Sequence, residues 1–360
     1  MPHYNFGAGP SQIPLSVLDN LKISLKNWDK GLSILDINHN RVTFSRIRNL
    51  CESILRDIAH VNNDYDILFL PGGARSQFHM IPDNIDCKKA YYIVSGLWSK
   101  KSYEIAKKYI NATVVGNNLD NRFTNLPNIE YDRINEKNSF LHYCDNETIN
   151  GIEFNHYVRK KLGGIPIIAD MSSNFLSKNI KIENFDLLYA CTQKNLGIPG
   201  LTIVIIKKSL SIKNTNKYSL NKYYFWMEKK SVYNTPNVIC WYVCYLMLKW
   251  IKSKGGLNNI EKYNLAKSKL IYNYIDNSNF YFNYVNKNAR SRINIPFFLK
   301  NHNLNKKFLF YADKFNLHSL KGHSLVGGMR ANIYNSMTIE AVKKLIYFMQ
   351  YFKKKNRTLF

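Results

Sequence analysis

The sequence predicts an α/β protein, with a mainly parallel sheet sandwiched by helices and a smaller α+β C-terminal domain. Two observations carry this. Short continuous apolar runs alternate with helical periodicity from Ile67 to Ile206, the pattern of strands buried on both faces. After Lys207 the alternation stops and a different order of helices and strands begins. The chain has 360 residues, 45% hydrophobic and 21% charged, which is enough for a large core and suggests two domains.

Taken in order, Pro14–Lys30 and Phe44–Val61 space their apolar residues as helices do. Strands are expected at Ile67–Leu70, Ala90–Val94, Thr113–Val115, Phe140–Cys144, Ile165–Ala169, Leu187–Ala190 and Leu201–Ile206, with a helix at Ser99–Tyr109. In parallel sheets ligands sit at the carboxyl ends of strands. The polar clusters Gly72–Arg75, Ser95–Trp98, Asp145–Thr148, Asp170–Ser173 and Thr192–Gly200 all follow such ends. Beyond them, Val238–Lys252 reads as a long helix stopped by Gly255-Gly256. From Asn258 a helix is expected, then strands at Phe280–Val285 and Arg292–Phe298 and helices at Asn305–Phe315 and Ile339–Tyr351. The reading sets a large domain at residues 13–257 and a small one at 258–360, which the segment 1–12 joins.

No apolar run approaches the ~20 residues of a membrane span. The N-terminal MPHYNFGAGPSQIP lacks a basic region before an apolar core, so a secretory signal is not expected. The six cysteines show no metal-ligand spacing and read as reduced thiols of a cytoplasmic protein. The formal charge of +26 by itself suggests nucleic acid. However, the basic residues are spread along the whole chain, and the abundance of Asn, Ile, Tyr, Phe and Lys is what AT-rich codons produce. Specific nucleic-acid binding is therefore not expected.

The stretch Leu187–Thr202 carries most of the chemistry. A buried strand stops at Thr192-Gln193, presents Lys194, and turns through Asn195–Gly200 into another apolar run. A lysine at the mouth of a buried strand is costly unless its ammonium has a partner or a task. Asp170 stands at the end of an equivalent run. A lysine for a Schiff base and an aspartate for a pyridinium nitrogen are what a pyridoxal 5'-phosphate enzyme requires. The alternatives are a surface lysine for Lys194 and a helix N-cap for Asp170. Ser172 can reach a phosphate or orient that carboxylate. Gly72–Arg75 lies between a strand and a helix, where backbone N–H groups can cradle a phosphate, although a plain turn reads the same way. Trp98 can stack on a planar ring or pack in the core.

Longer motifs point to one family. They are NFGAGPSQIP (Asn5–Pro14), GGARSQF (Gly72–Phe78), SGLW (Ser95–Trp98), HYCDNETINGIEF (His142–Phe154), ADMSSNFLS (Ala169–Ser177), TQKNLGIPGLTIVI (Thr192–Ile205), NTPN (Asn234–Asn237) and LKGHSLVGGMRANIYN (Leu320–Asn335). Together they resemble the phosphoserine aminotransferases, class V, fold-type I pyridoxal phosphate enzymes, essentially end to end. The resemblance implies a homodimer with active sites at the interface. It implies small-molecule substrates: glutamate and 3-phosphohydroxypyruvate, giving O-phosphoserine and 2-oxoglutarate. Bacterial relatives also act on a phosphorylated hydroxy-oxo acid of pyridoxine synthesis. By the same resemblance Lys194 forms the Schiff base and Asp170 pairs with the ring nitrogen. Trp98 stacks on the ring, Thr148 bonds its hydroxyl, and Gln193 and the amides of Ala74 and Arg75 hold the phosphate. Asn234 and Thr235 reach that phosphate from the partner subunit, and Arg330 grips the substrate α-carboxylate.

Two departures stand out. The family's His-Arg-Gly is here His39-Asn40-Arg41, and its Gly-His-Arg is Gly322-His323-Ser324. The arginines replaced there serve the distal anion of the substrate. His39, Arg41, Arg75 and His323 remain as candidate contacts. The departures keep open a transaminase for a non-phosphorylated oxo acid. A basic nucleic-acid-binding protein on a retained scaffold is the alternative of another class, and the intact Lys194, Asp170 and Trp98 argue against it.

Overall fold

Seven of the apolar runs pair into one sheet. The architecture comes from a computed structural model, which describes residues 2–39, 42–119, 123–155, 158, 164–210, 212–213 and 219–356. The chain begins with β1 (Tyr4–Asn5), α1 (Leu15–Lys26) and α2 (Val42–Ala59), then β2 (Tyr65–Pro71), α3 (Gln77–Asn84), β3 (Lys89–Val94), α4 (Leu97–Ala106) and β4 (Asn111–Asn117). It continues through β5 (Ser139–Cys144), the small hairpin β6 (Asn146–Glu147) and β7 (Ile152–Glu153), β8 (Ile167–Asp170), β9 (Leu187–Cys191) and β10 (Leu201–Lys207). After α5 (Tyr223–Glu228), α6 (Val238–Ser253) and α7 (Gly256–Asp276) come β11 (Tyr281–Phe282), β12 (Asn294–Leu299), α8 (Asn305–Lys314), β13 (Leu317–His318), β14 (Met329–Asn332) and α9 (Ile339–Lys355).

The large sheet runs β2-β10-β9-β8-β5-β3-β4. Its inner strands are mostly apolar because both faces are covered, whereas the edge strand β4 is only partly buried. On β10, Leu201, Ile203 and Ile205 join one core, while Val204 and Ile206 join the opposite one. Residues of opposite parity point to opposite faces. The first core is closed by α6, whose Trp241 lies 4.4 Å from Phe69 of β2 and 5.8 Å from Phe44 of α2, centroid to centroid.

The sheet is parallel except for β10, which pairs antiparallel with both β9 and β2. The reason is length. A parallel return needs a crossover of a dozen or more residues, and the turn from Thr192 to Gly200 is too short to provide one. It therefore delivers β10 back along β9, and the residues of the turn stay at the ligand-binding edge of the sheet.

Gly255-Gly256 stops α6, and the helix expected from Asn258 begins two residues earlier, as α7 at Gly256. Leu257 and Ile260 of α7 pack in the core beside the large sheet, and Ile271, Tyr272 and Ile275 pack in a second core. That second core lies under the antiparallel sheet β11-β12-β14, with Phe297, Phe308 and Phe348 in it. The strand expected across Phe280–Val285 shortens to Tyr281–Phe282. The N-terminal segment joins this part of the molecule, since β1 pairs with β13 and Phe6 enters the second core.

Candidate active site

The strand ends converge in register. Cys144 of β5 faces Asp170 of β8, Asp170 faces Tyr189 of β9, and Leu201 of β10 faces Pro71 of β2. The loops after these strands therefore share one edge. The turn that carries Lys194 is held from within: Thr192 Oγ1 donates to the carbonyl of Ile198 at 2.6 Å. Gly200 closes it at φ +139°, and a Cβ there would fall 2.5 Å from Cys240 Sγ on α6. Only glycine meets both demands.

A cavity of about 250 Å³ opens among these loops. Ala74, Arg75, Trp98, Thr148, Asp170, Ser172, Gln193 and Lys194 all line it. Lys194 Nζ donates to Thr148 Oγ1 at 2.9 Å. Asp170 is buried, and its Oδ1 accepts from the backbone N–H of Ser172 at 2.8 Å. The Arg75 guanidinium lies over the Trp98 ring, 5.3 Å from its centroid. Ala74 and Arg75 open the 3₁₀ turn that leads into α3, and Gly73 offers them no side-chain cap. Their amides are the kind of uncapped helix start that binds phosphate. From the other part of the molecule comes Arg330 on β14. Its Nη1 donates to the carbonyl of Thr148 at 3.1 Å, and its buried Nε has no partner among the described residues.

The other expected contacts are not brought to this cavity wall. Asn234 and Thr235 are exposed, and Asn234 has φ +54°. His39 and His323 are half-buried and do not line the cavity. His323 Nδ1 instead accepts from the backbone N–H of Leu325 at 3.2 Å. Arg41 and Asn40 lie outside the described residues.

The aminotransferase class-V family model matches residues 3–345. The phosphoserine aminotransferase of Buchnera aphidicola subsp. Cinara cedri is 42% identical over 358 residues, covering 98% of both chains. That of Blochmanniella floridana is 39% identical over 368 residues, again with 98% of both covered. The chain belongs to the phosphoserine aminotransferase family. Solved structures agree. The enzyme from Bacillus circulans subsp. alkalophilus superposes with a TM-score of 0.93 at 34% identity, covering 99% of both chains. The pyridoxal phosphate-bound enzyme from Trichomonas vaginalis gives 0.90 at 33% identity, covering 97% of this chain and all of that one.

The cavity suits the family's cofactor on its own evidence. Gln193 Oε1 and Trp98 Nε1 are buried without a hydrogen-bond partner among the described residues. Burial raises the Asp170 carboxyl, and Ser172 and the Lys194 charge only partly offset this. A protonated ring nitrogen is the partner such a carboxylate lacks. For Lys194, burial pulls the amine down, but the acidic groups around it, the Asp170 carboxylate among them, outweigh this and hold the amine above the ordinary lysine value. Burial, Arg330 and Lys101 together push His323 below the ordinary histidine value. At neutral pH it therefore offers a hydrogen bond and not a positive charge.

Several residues at this site escaped the sequence reading. Ser11 donates its N–H to the carbonyl of Gln193 at 2.9 Å, and its hydroxyl to the carbonyl of Lys194. Asn195 Oδ1 accepts from the backbone of Asn335 at 3.0 Å. Glu147 is fully buried beside Trp98. All four lie within the motifs quoted above, so their membership was visible while their contacts were not.

The raised Lys194 value has a kinetic consequence. Only the neutral amine attacks an aldehyde, and its fraction climbs with pH below its own pKa. Capture of pyridoxal phosphate by the cofactor-free protein should accelerate steadily from about pH 7 to 9. Stopped-flow absorbance would show this, and a flat profile would mean that the amine is already neutral in the empty site.

Proposed function

We propose that the chain is a phosphoserine aminotransferase that works as a cytoplasmic homodimer. It moves the amino group of glutamate to 3-phosphohydroxypyruvate. The observation that carries this reading is the Lys194 amine, bonded to Thr148 in the wall of a cavity that the buried Asp170 also lines. Pyridoxal phosphate, when bound, supplies the electron sink that lets an amino-acid α-carbon lose its proton.

The chain's own residues do the rest. Lys194 holds the cofactor, then carries a proton to and from the substrate α-carbon. Asp170 keeps the ring nitrogen protonated. Trp98 fixes the plane of the ring, and the amides of Ala74 and Arg75 with Gln193 receive the phosphate. Arg330 presents a planar fork to the α-carboxylate. Its free Nε and its bond to the Thr148 carbonyl support that placement, because a carboxylate would lie beside the reacting centre.

The division at 257/258, with segment 1–12 assigned to the small domain, is part of this proposal. The β1–β13 pairing supports the assignment of that segment.

Asn234 and Thr235 are exposed on this chain, as residues that complete a partner's cavity must be. Hybrid dimers test this. Lys194→Ala and Thr235→Glu should each be nearly inactive alone. Unfolded and refolded together they should regain activity, because one cavity of each hybrid carries neither change. No recovery, with hybrid formation verified by mass spectrometry, would contradict a shared site.

For the distal phosphate, Arg75 is the guanidinium that lines the cavity among the described residues. Arg75→Ala should raise the KM for O-phosphoserine about tenfold, or ~1.4 kcal/mol, with a smaller effect on glutamate. Equal KM changes for both substrates would favour the non-phosphorylated oxo acid that Asn40 and Ser324 keep open.

A further inference from the structure

The helix that carries Trp98 starts with three backbone N–H groups that no residue of that helix can satisfy. All three are satisfied from one distant segment. Leu97 N donates to Asn150 Oδ1 at 3.1 Å, Trp98 N to Glu147 Oε2 at 3.0 Å, and Ser99 N to Glu147 Oε1 at 2.7 Å. Ser99 Oγ lies 2.6 Å from the same carboxylate oxygen. Thr148, which accepts from Lys194, sits between the two capping residues.

The fit is tight. A Cβ on Gly96, the N-cap of α4, would lie 2.4 Å from Glu147 Cγ and Cδ and 2.7 Å from Oε2. The absence of a side chain there is what lets the carboxylate reach the helix start. Glu147 is fully buried and no cationic side chain pairs with it among the described residues. Its partners are the α4 amides and the Ser99 hydroxyl, a geometry that suits the positive end of a helix dipole. Two helix starts therefore flank the cavity in different states. The one at Gly73 is uncapped and open to an anion, and the one at Gly96 is already filled by Glu147.

The geometry points to Glu147, assisted by Asn150, as the positioning residue that fixes the Trp98 ring relative to Thr148 and Lys194. One carboxylate ties the stacking face of the site to the strand-end loop that bonds the Schiff-base lysine. The Glu147–Asn150 segment thus sets the slot into which the cofactor ring slides. This inference rests on the stacking role proposed for Trp98, and the test separates the two.

The test compares Glu147→Gln, Asn150→Ala and Trp98→Ala with the wild type. It measures pyridoxal phosphate affinity by titration, visible circular dichroism of the loaded protein, amide exchange in the cofactor-free protein, and thermal melting. Glutamine keeps the shape of the side chain but puts an NH₂ against one of the amide donors. Glu147→Gln should weaken cofactor binding about tenfold. It should also reduce the visible dichroism at saturation and speed exchange at Trp98 and Ser99. Borohydride should still reduce the saturated protein at Lys194. Asn150→Ala, which frees only the Leu97 amide, should move the same readouts less, and it carries the test if Glu147→Gln does not fold. If Trp98→Ala is impaired while both cap variants keep wild-type affinity and dichroism and differ only in melting temperature, Glu147 is a structural cap and the inference fails. If Trp98→Ala itself leaves affinity and dichroism unchanged, the stacking reading fails and takes this inference with it.

Discussion

The Lys194 amine stands 2.9 Å from Thr148 Oγ1, and the placement of the turn that carries it is the constraint on which the site depends. A lysine ammonium taken into a protein interior must have acceptors or lose its proton. Here the turn after β9 is too short to leave the edge of the sheet, so the lysine is held where β5 and β8 also end. The antiparallel direction of β10 is the visible consequence of the same constraint. Around the amine, Asp170 supplies a buried carboxylate with no cationic partner bonded to it among the described residues, and Cys144 and Cys191 line the wall as thiols that burial keeps protonated.

The two parts of the molecule meet across this point. Arg330 reaches the Thr148 carbonyl from β14, and Asn335 reaches Asn195, the residue after Lys194. Ser11 holds the backbone of Gln193 and Lys194, while the carbonyls of Phe6 and Ala8 accept from Asn332 and from the Tyr334 hydroxyl. The turn at 333–337 is in turn held by Lys267, whose amine donates to the carbonyls of Ile333, Tyr334 and Met337 at 2.7–3.0 Å. Burial pushes that amine well below the ordinary lysine value, and the three carbonyls, with the Tyr263 ring 5.1 Å from Nζ to its centroid, compensate it. The N-terminal segment and the small part thus reach the lysine turn by separate routes.

Much of this was legible in the sequence, for identifiable reasons. The large-sheet strands announced themselves because strands buried on both faces are mostly apolar, and polar or Gly-rich turns end them. Lys194 and Asp170 were legible because a charge at the end of such a run is expensive without a task. What was not legible depends on distance in sequence. Nothing near Glu147 shows that its carboxylate caps a helix some fifty residues earlier, and nothing near Ser11 shows that it reaches Lys194. β14 was missed as a strand because Met329–Asn332 is too short and mixed to alternate, although all four residues are buried. The strand at Phe280–Val285 was read too long because apolar composition continues past the point where pairing with β12 ends.

The central claim is that this cavity holds pyridoxal phosphate on Lys194. Borohydride reduction of the protein as isolated, followed by digestion and mass spectrometry, tests it most directly. A phosphopyridoxyl group should be found on Lys194 and on no other lysine of this lysine-rich chain. Labelling elsewhere, or an unlabelled Lys194 after saturation with the cofactor, would contradict the account.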